Sequence, residues 1–246
     1  MNPLHSLGLR TMREEEMDAG ELPDTEYARV LHDLSRINRL TLAARPTLAF
    51  VRTLLAGTGD IHRPLRILDV GFGHGDMLRA IARMCAELGR LVDLVGIDLN
   101  PRSATSAQGA TPTDMPIRWI TGDYQDYPVD GGDAHGTGEP WDAVISSLVA
   151  HHMSAQQRNA FLCFMETYAQ RGWLVNDLHR QRLPFVGYPV LATLAMVDPI
   201  VRRDGQLSIA RSFRHSEWLE ELASAQITGV SVKRWFPWRL VVERIK

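Results

Sequence analysis

Glycine at every second position between a strand and a helix is the feature that most constrains this chain. The run Leu68-Asp69-Val70-Gly71-Phe72-Gly73-His74-Gly75-Asp76 continues the apolar stretch that starts at Leu65. It precedes a helical pattern with apolar residues at 77, 78, 81, 84, 85 and 88. Positions without a Cβ let the backbone pass close to a ligand, and in an open parallel sheet that ligand sits at the carboxyl ends of the strands. The spacing is G-x-G-x-G, whereas dinucleotide binders use G-x-G-x-x-G. The third glycine comes one place early, and Asp76 stands where a phosphate would approach. With Asp69 ahead of the turn, the arrangement suits a cofactor carrying a cationic ammonium or sulfonium group. The next strand, Leu91 to Ile97, runs into Asp98-Leu99-Asn100, and an acid at that point can accept both hydroxyls of a ribose.

The rest of the chain alternates between strand and helix. Strands are expected at Ile117 to Ile120, Trp141 to Ile145 and Trp173 to Val175, with helices from Met77, from Pro101 and from a Ser154 cap to about Gln170. Ile227 to Val232 and Arg239 to Val242 read as two closing strands around Trp235-Phe236-Pro237. Seven strands in this order predict an α/β fold with a doubly wound, mostly parallel sheet. Ahead of the sheet, Val30, Leu31, Leu34, Ile37 and Leu40 recur at helical steps, and Pro46 opens a second helix that ends at Gly57 and Gly59. Leu183 to Val201 reads as helical pieces broken by prolines, Ser216 as the cap of a short helix, and Asp130 to Pro140 as an exposed loop. Arg13 to Glu26 carries seven acids and one base, too polar to pack. The expected organisation is therefore a flexible acidic lead-in over 1–24 and one domain over 25–246. Within that domain 25–60 is a helical lid, 64–177 the cofactor-binding core, and 178–246 a substrate lid with closing strands.

Charge narrows the partners. Lys plus Arg number 27 against 29 for Asp plus Glu, a net −2 without basic blocks, so a small acceptor is expected and no nucleic acid. Cys85 and Cys163 lack metal-knuckle or redox spacing and read as reduced core thiols. Prolines 184, 189 and 199 and Asp198 interrupt the longest weakly charged stretch, so no stable membrane insertion is expected. Met1 to Arg10 lacks the apolar stretch of a secretory signal, and the expected location is cytoplasmic.

Four separated motifs carry a family resemblance: Asp69 to Gly75, Asp98 after the second strand, Thr121-Gly122-Asp123-Tyr124 after the third, and Trp141 to Leu148 continuing into Val149-Ala150-His151-His152-Met153. Over residues 64–177 the chain resembles the class I S-adenosylmethionine-dependent methyltransferases. The resemblance implies a Rossmann-like methyltransferase fold with S-adenosylmethionine as cofactor. Asp69, Gly71, Gly73 and Gly75 would face its methionyl part, Asp98 its ribose and Leu99 one side of the adenine. Asp123 would accept from the adenine amino group, and Tyr124 would donate its backbone N–H to the ring. Ser147 and Leu148 would line the sulfonium end. Asn176-Asp177-Leu178-His179-Arg180 and the later Ser-Ile-Ala-Arg-Ser-Phe also resemble bacterial methyltransferases of polyketide-type phenolic products.

Methyl transfer to a hydroxyl needs alignment and a proton acceptor, a task suited to histidine. His152 is the first candidate base, with His179 oriented by Asp177 as the second and His151 as the third. Arg211 could bind an acidic or phenolate group, and Phe185, Tyr188 and Met196 could wall an apolar acceptor pocket. The Ser146-Ser147 pair offers no hard ligand set, so no metal is expected. The reading is a metal-independent O-methyltransferase of a small aromatic or polyketide-like metabolite. C-methylation of a quinol-like ring is the near alternative; a silent nucleoside-binding module and an NAD-linked oxidoreductase are the distant ones. The oligomeric state is not readable.

Overall fold

The computed structural model describes residues 7–18, 22–57, 62–126 and 140–246. Its centre is one seven-stranded sheet in the order β3-β2-β1-β4-β5-β7-β6. The strands are β1 (Leu65–Val70), β2 (Val92–Asp98), β3 (Ile117–Thr121), β4 (Trp141–Ser147), β5 (Ala169–Leu178), β6 (Ser231–Trp235) and β7 (Arg239–Ile245). β1 to β5 pair in parallel, and β7 runs antiparallel to β5 and to β6. The chain order reverses between β1 and β4, the point where open α/β sheets leave a crevice at the strand ends.

The continuous apolar runs of β1 and β4 are explained by helices on both faces. Beneath one face lie α2 (Arg45–Ala56) and α3 (Asp76–Glu87), whose Phe50, Leu54, Leu78 and Ile81 pack on Ile67, Leu94, Ile145 and Val241. On the other face, α5 (Ala155–Tyr168) and α8 (His215–Ser224) set Phe161, Leu162, Trp218 and Leu222 against Leu68, Val144, Trp173 and Val242. A third apolar cluster lies beyond the sheet edge. It joins α1 (Asp24–Leu40) to α6 (Arg182–Leu194) and α7 (Pro199–Arg211) through Val30, Ile37, Phe185, Ala192 and Ile209. α4 (Pro101–Ala110) fills the gap between β2 and β3, capped by the Asn100 side chain. Among the described residues, no helix is long and apolar enough to cross a membrane.

Several local expectations change. α6 passes through Pro184 and Pro189 without a break. Pro184 sits in the first turn, where an N–H has no intrahelical partner, and the Phe185 carbonyl that Pro189 cannot bond accepts from Gln206 Nε2 at 2.9 Å. The last helix begins at His215 after Arg214, whose N–H donates to Glu217 Oε2 at 2.7 Å, so Ser216 is not its cap. β5 extends over ten residues, because β7 pairs along it from Gly172 to Leu178. Cys85 is buried, but Cys163 is exposed on α5. The loop expected from Asp130 to Pro140 lies, apart from Pro140, outside the described residues.

The acidic segment expected to be an unpacked lead-in lies against α7 over residues 7–18. Leu7 and Glu15 are each 3% exposed. Asp204 accepts the backbone N–H groups of Glu16 and Met17 at 2.9 and 3.0 Å, and Thr11 N donates to Ala210 O at 3.2 Å. The sequence reading weighed composition alone. The segment packs because buried polar partners on α7 satisfy its backbone and its Glu15 side chain.

Candidate active site

A cavity of about 470 Å³ opens at the carboxyl ends of β1, β2 and β4 and reaches across to α1, α6 and α7. Its two ends differ in chemistry.

The first end is the glycine turn. Gly71 (φ +77°) and Gly75 (φ +74°) hold backbone that L side chains rarely adopt, and a Cβ on either would meet Val149 at 2.3 Å or Trp119 at 2.4 Å. The turn is tied to β2, since Gly73 N–H donates to Asp98 Oδ2 and Asn100 N–H to Asp98 Oδ1, each at 2.9 Å. Three carboxyls crowd this end without a cationic partner in direct contact. Burial, then the charges of Asp76 and Asp98, push the Asp69 carboxyl up to about 8. Burial likewise raises Asp76 and Asp98. Asp69 Oδ1 is buried with no hydrogen-bond partner. An orphaned acid beside an open glycine cradle fits a ligand that brings its own ammonium group. Leu99 presents an apolar side chain, 72% exposed, on the same wall, fit to cover a flat ring. Gly122 and Tyr124 continue that wall, and Tyr124 is fixed edge-on between Phe161 and Phe164. Asp123, between them, already accepts from Gln125 N–H at 2.9 Å, as a turn residue does. Ser147 and Leu148 line the middle of the cavity. Leu148 is held at φ +63° with its N–H on Asn176 O, a strained position that turns the chain after β4 into the space.

The second end is a cluster of acids and imidazoles. The 3-10 turn Ala150–His152 follows β4 and places both histidines on the wall. His151 is clamped by Asp177 at the end of β5. Asp177 Oδ1 lies 2.7 Å from His151 Nδ1, and Oδ2 accepts the His151 N–H at 3.0 Å. His152 Nδ1 lies 2.9 Å from Asp18 Oδ2. Each ring then turns its Nε2 toward Glu15 Oε1, at 3.6 Å for His151 and 3.8 Å for His152. Glu15 is fixed by Ser208 Oγ–H at 2.7 Å. Burial alone would lower His151, but Asp177 and Glu15 override it and hold it up at about 9. Both acids are held below the usual carboxylate range against their own burial, chiefly by His151. The ligand atoms of Glu15, His151 and His152 lie within 4.8 Å of one another, close enough to share a proton or a cation.

The expected acceptor residues separate. Tyr188 is on the cavity wall, with its hydroxyl donating to Val201 O at 2.9 Å. Phe185 is buried in the α1–α6–α7 cluster, away from the wall, and Met196 is 84% exposed on the turn after α6. Arg211 is buried behind the wall, where it donates to Arg13 O at 2.9 Å and so fastens the acidic segment. His179 lines a different cavity, and Asp177, expected to orient it, serves His151 instead. His179 lies one residue beyond the end of β5, in a bridge to Phe213, and so leaves the side on which Asp177 holds His151.

Four wall residues were absent from the expected site or had another role there: Glu15, Asp18, Asp204 and Arg239. Glu15 and Asp18 sit in a run whose composition spoke for solvent, and Asp204 is a lone acid on α7, so nothing local marked them. Arg239 did leave a signal, a guanidinium opening the apolar strand Arg239-Leu240-Val241-Val242. It is 2% exposed, with Nε and Nη1 unpartnered, and burial brings it down to about 10.

Residues 67–172 match the family described as a methyltransferase domain. No curated protein matches the chain by sequence. Among solved structures, the plantazolicin methyltransferase BpumL, in complex with a desmethyl-plantazolicin analogue and S-adenosylhomocysteine, is similar with a TM-score of 0.61 at 15% identity over 87% of this chain and 89% of that one. Human N-acetylserotonin methyltransferase, in complex with S-adenosylmethionine, gives 0.61 at 13% identity over 99% of this chain and 65% of the other. The CMeT domain of the citrinin polyketide synthase gives 0.56 at 14% identity over 82% and 52%. Residues 67–172 thus match a methyltransferase domain, and in its motifs and its fold the chain resembles the class I S-adenosylmethionine-dependent methyltransferases.

Proposed function

We propose that this chain transfers a methyl group from S-adenosylmethionine to a hydroxyl of a small aromatic or polyketide-like acceptor, with His152 as the base and without a metal. One observation carries the reading: a single cavity joins an acid-rich glycine turn to an acid-oriented histidine pair. When bound, S-adenosylmethionine would supply a methyl carbon on a sulfonium, open to in-line attack by an acceptor oxygen, with the neutral thioether S-adenosylhomocysteine as leaving group. Asp69 gives its proton to solvent and takes the cofactor's ammonium, while Asp98 keeps its free lone pairs for the ribose hydroxyls. Leu99 and Tyr124 border the base, and Ser147 and Leu148 border the methyl.

At the acceptor end, Asp18 holds His152 in the tautomer whose Nδ1–H points at the carboxylate. The Nε2 lone pair is then free to accept the hydroxyl proton as the oxygen–carbon bond forms. His151, kept charged by Asp177 and Glu15, supplies a fixed positive field that favours the developing oxyanion. Arg239, not Arg211, is the cation available to a phenolate or acidic group on the acceptor. The concave, largely apolar cavity favours a small acceptor over a polynucleotide.

Incubation of the purified chain with methyl-labelled S-adenosylmethionine and a set of phenols and quinols tests the reading. The expected product is a phenol one methyl heavier, labelled on oxygen. Label on ring carbon would shift the assignment to a C-methyltransferase, and no transfer to any member would refute it.

A further inference from the structure

A second cavity, of about 430 Å³, opens beside the first, and three of its seven lining residues are arginines. Arg180, Arg214 and Arg234 line it together with His179, His215 and Ser216. Glu217, at the start of α8, neutralises part of this charge, accepting from Arg180 Nη2 at 2.5 Å and from Arg214 N–H at 2.7 Å. Arg214 Nη2 otherwise donates to the Leu7 carbonyl, and Arg234 makes no ion pair or hydrogen bond through its side chain among the described residues. The first turn of the ten-residue helix α8 faces the same opening and adds backbone N–H groups that have no intrahelical partner.

The observation that points to a ligand is His179. It is 5% exposed and lines this cavity, and its ring has no hydrogen-bond partner among the described residues. His215 Nε2 lies 3.1 Å from Val232 O and so carries the proton, leaving Nδ1 without a described partner. The His179 side chain is thus enclosed by protein while its ring edge opens onto the cavity beside the guanidiniums. An anion with several oxygens matches that lining, because arginines and helix N-termini bind tetrahedral oxyanions through charge-assisted hydrogen bonds.

We infer that the cavity between β5, α8 and β6 is a binding site for a phosphate group, formed by Arg214, Arg234, His179 and the first turn of α8. Its position suggests two sources. Leu178, the residue before His179, lines the main cavity, as does Trp238, whose carbonyl accepts the His179 N–H at 2.9 Å. A phosphate carried on an acceptor seated in the main cavity could enter here, and so could free phosphate. The inference stands on this cavity alone and does not depend on the methyl-transfer reading.

The test is calorimetric titration of the full chain with inorganic phosphate at low ionic strength, against chloride at matched ionic strength. Saturable 1:1 binding is expected, with a shift of the His179 ring resonances. The double variant Arg214→Gln/Arg234→Gln, checked by thermal melting, should weaken it at least about tenfold. S-adenosylhomocysteine affinity should stay unchanged in that variant. A second arm uses phenyl phosphate: tighter binding than inorganic phosphate supports an acceptor-borne group, and equal binding supports the free anion. Non-saturable uptake, reproduction by chloride, or full affinity in the double variant would overturn the site.

Discussion

The two ends of the main cavity are built on opposite plans. The glycine-turn end comes from Asp69 to Asp76 and Asp98 to Asn100, and its binding bond, Gly73 to Asp98, spans 25 residues. The histidine end gathers residues from both ends of the chain and its middle, with the His152–Asp18 contact spanning 134 residues. Their electrostatics differ as well. At the first end three carboxyls face each other without a cation in direct contact, so the site is incomplete without a positively charged ligand. At the second, the charged His151 lies between Asp177 and Glu15, and Asp18 is hydrogen-bonded to the His152 ring. In the proposed function, one end binds the cofactor and the other moves the acceptor's proton.

If that division holds, variants should affect one function without the other. The largest effect is expected from His152→Ala, which should lower turnover by about 10²- to 10⁴-fold while S-adenosylhomocysteine affinity changes by less than about twofold. Equal loss of both would break the comparison. Next comes Asp98→Ala, which removes two backbone contacts and the ribose acceptor. Cofactor affinity should fall about 100-fold, and turnover at saturating cofactor should stay near that of the parent.

A smaller effect is the proton count. Asp69 is held up at about 8, and an incoming ammonium prefers its ionised form. Cofactor binding at pH 7 should therefore release about one proton, read from calorimetry in buffers of different ionisation enthalpy, and Asp69→Asn should abolish the release. Affinity should weaken as pH falls below about 8.

Stability should report both ends, in separable windows. His151 in the folded chain keeps a proton up to about 9, above its ordinary 6.5, so its contribution is complete below 6.5 and lost as pH rises through 9. Asp69 likewise keeps its proton beyond the ordinary 3.8, so its share is lost as pH rises through 8. Thermal melting should show a Tm that falls from about pH 4 to about pH 9, with the part above about 8 flattened in His151→Gln. The smallest expected effect is that of a chelator: EDTA should leave turnover unchanged, and a loss restored by a divalent cation would assign Glu15, His151 and His152 to a metal.

The same contrast explains what could be read before the structure. Alternating strand and helix, seven strands, and the Asp69–Gly75 and Asp98 motifs are local patterns, and the sheet and the cavity's first end follow them. His151 and His152 were legible because they trail β4 directly. Their partners were not, since Glu15 and Asp18 become meaningful only when α7 folds over them through Asp204 and Ser208. Composition misled for the same reason, because an acidic run is solvated unless distant donors meet it. His179 was read as the end of β5 on the same edge as Asp177, whereas the strand stops at Leu178 and His179 bridges to Phe213; Arg239 was read only as the start of a closing strand.

The central claim is that the glycine-turn end is made for a cationic nucleoside cofactor. Its most direct test is titration of the purified chain with S-adenosylmethionine, S-adenosylhomocysteine and NAD under identical conditions. Binding of the first two on the order of micromolar, with none of NAD, is the predicted result. Binding of NAD alone, or of none of the three, would contradict it.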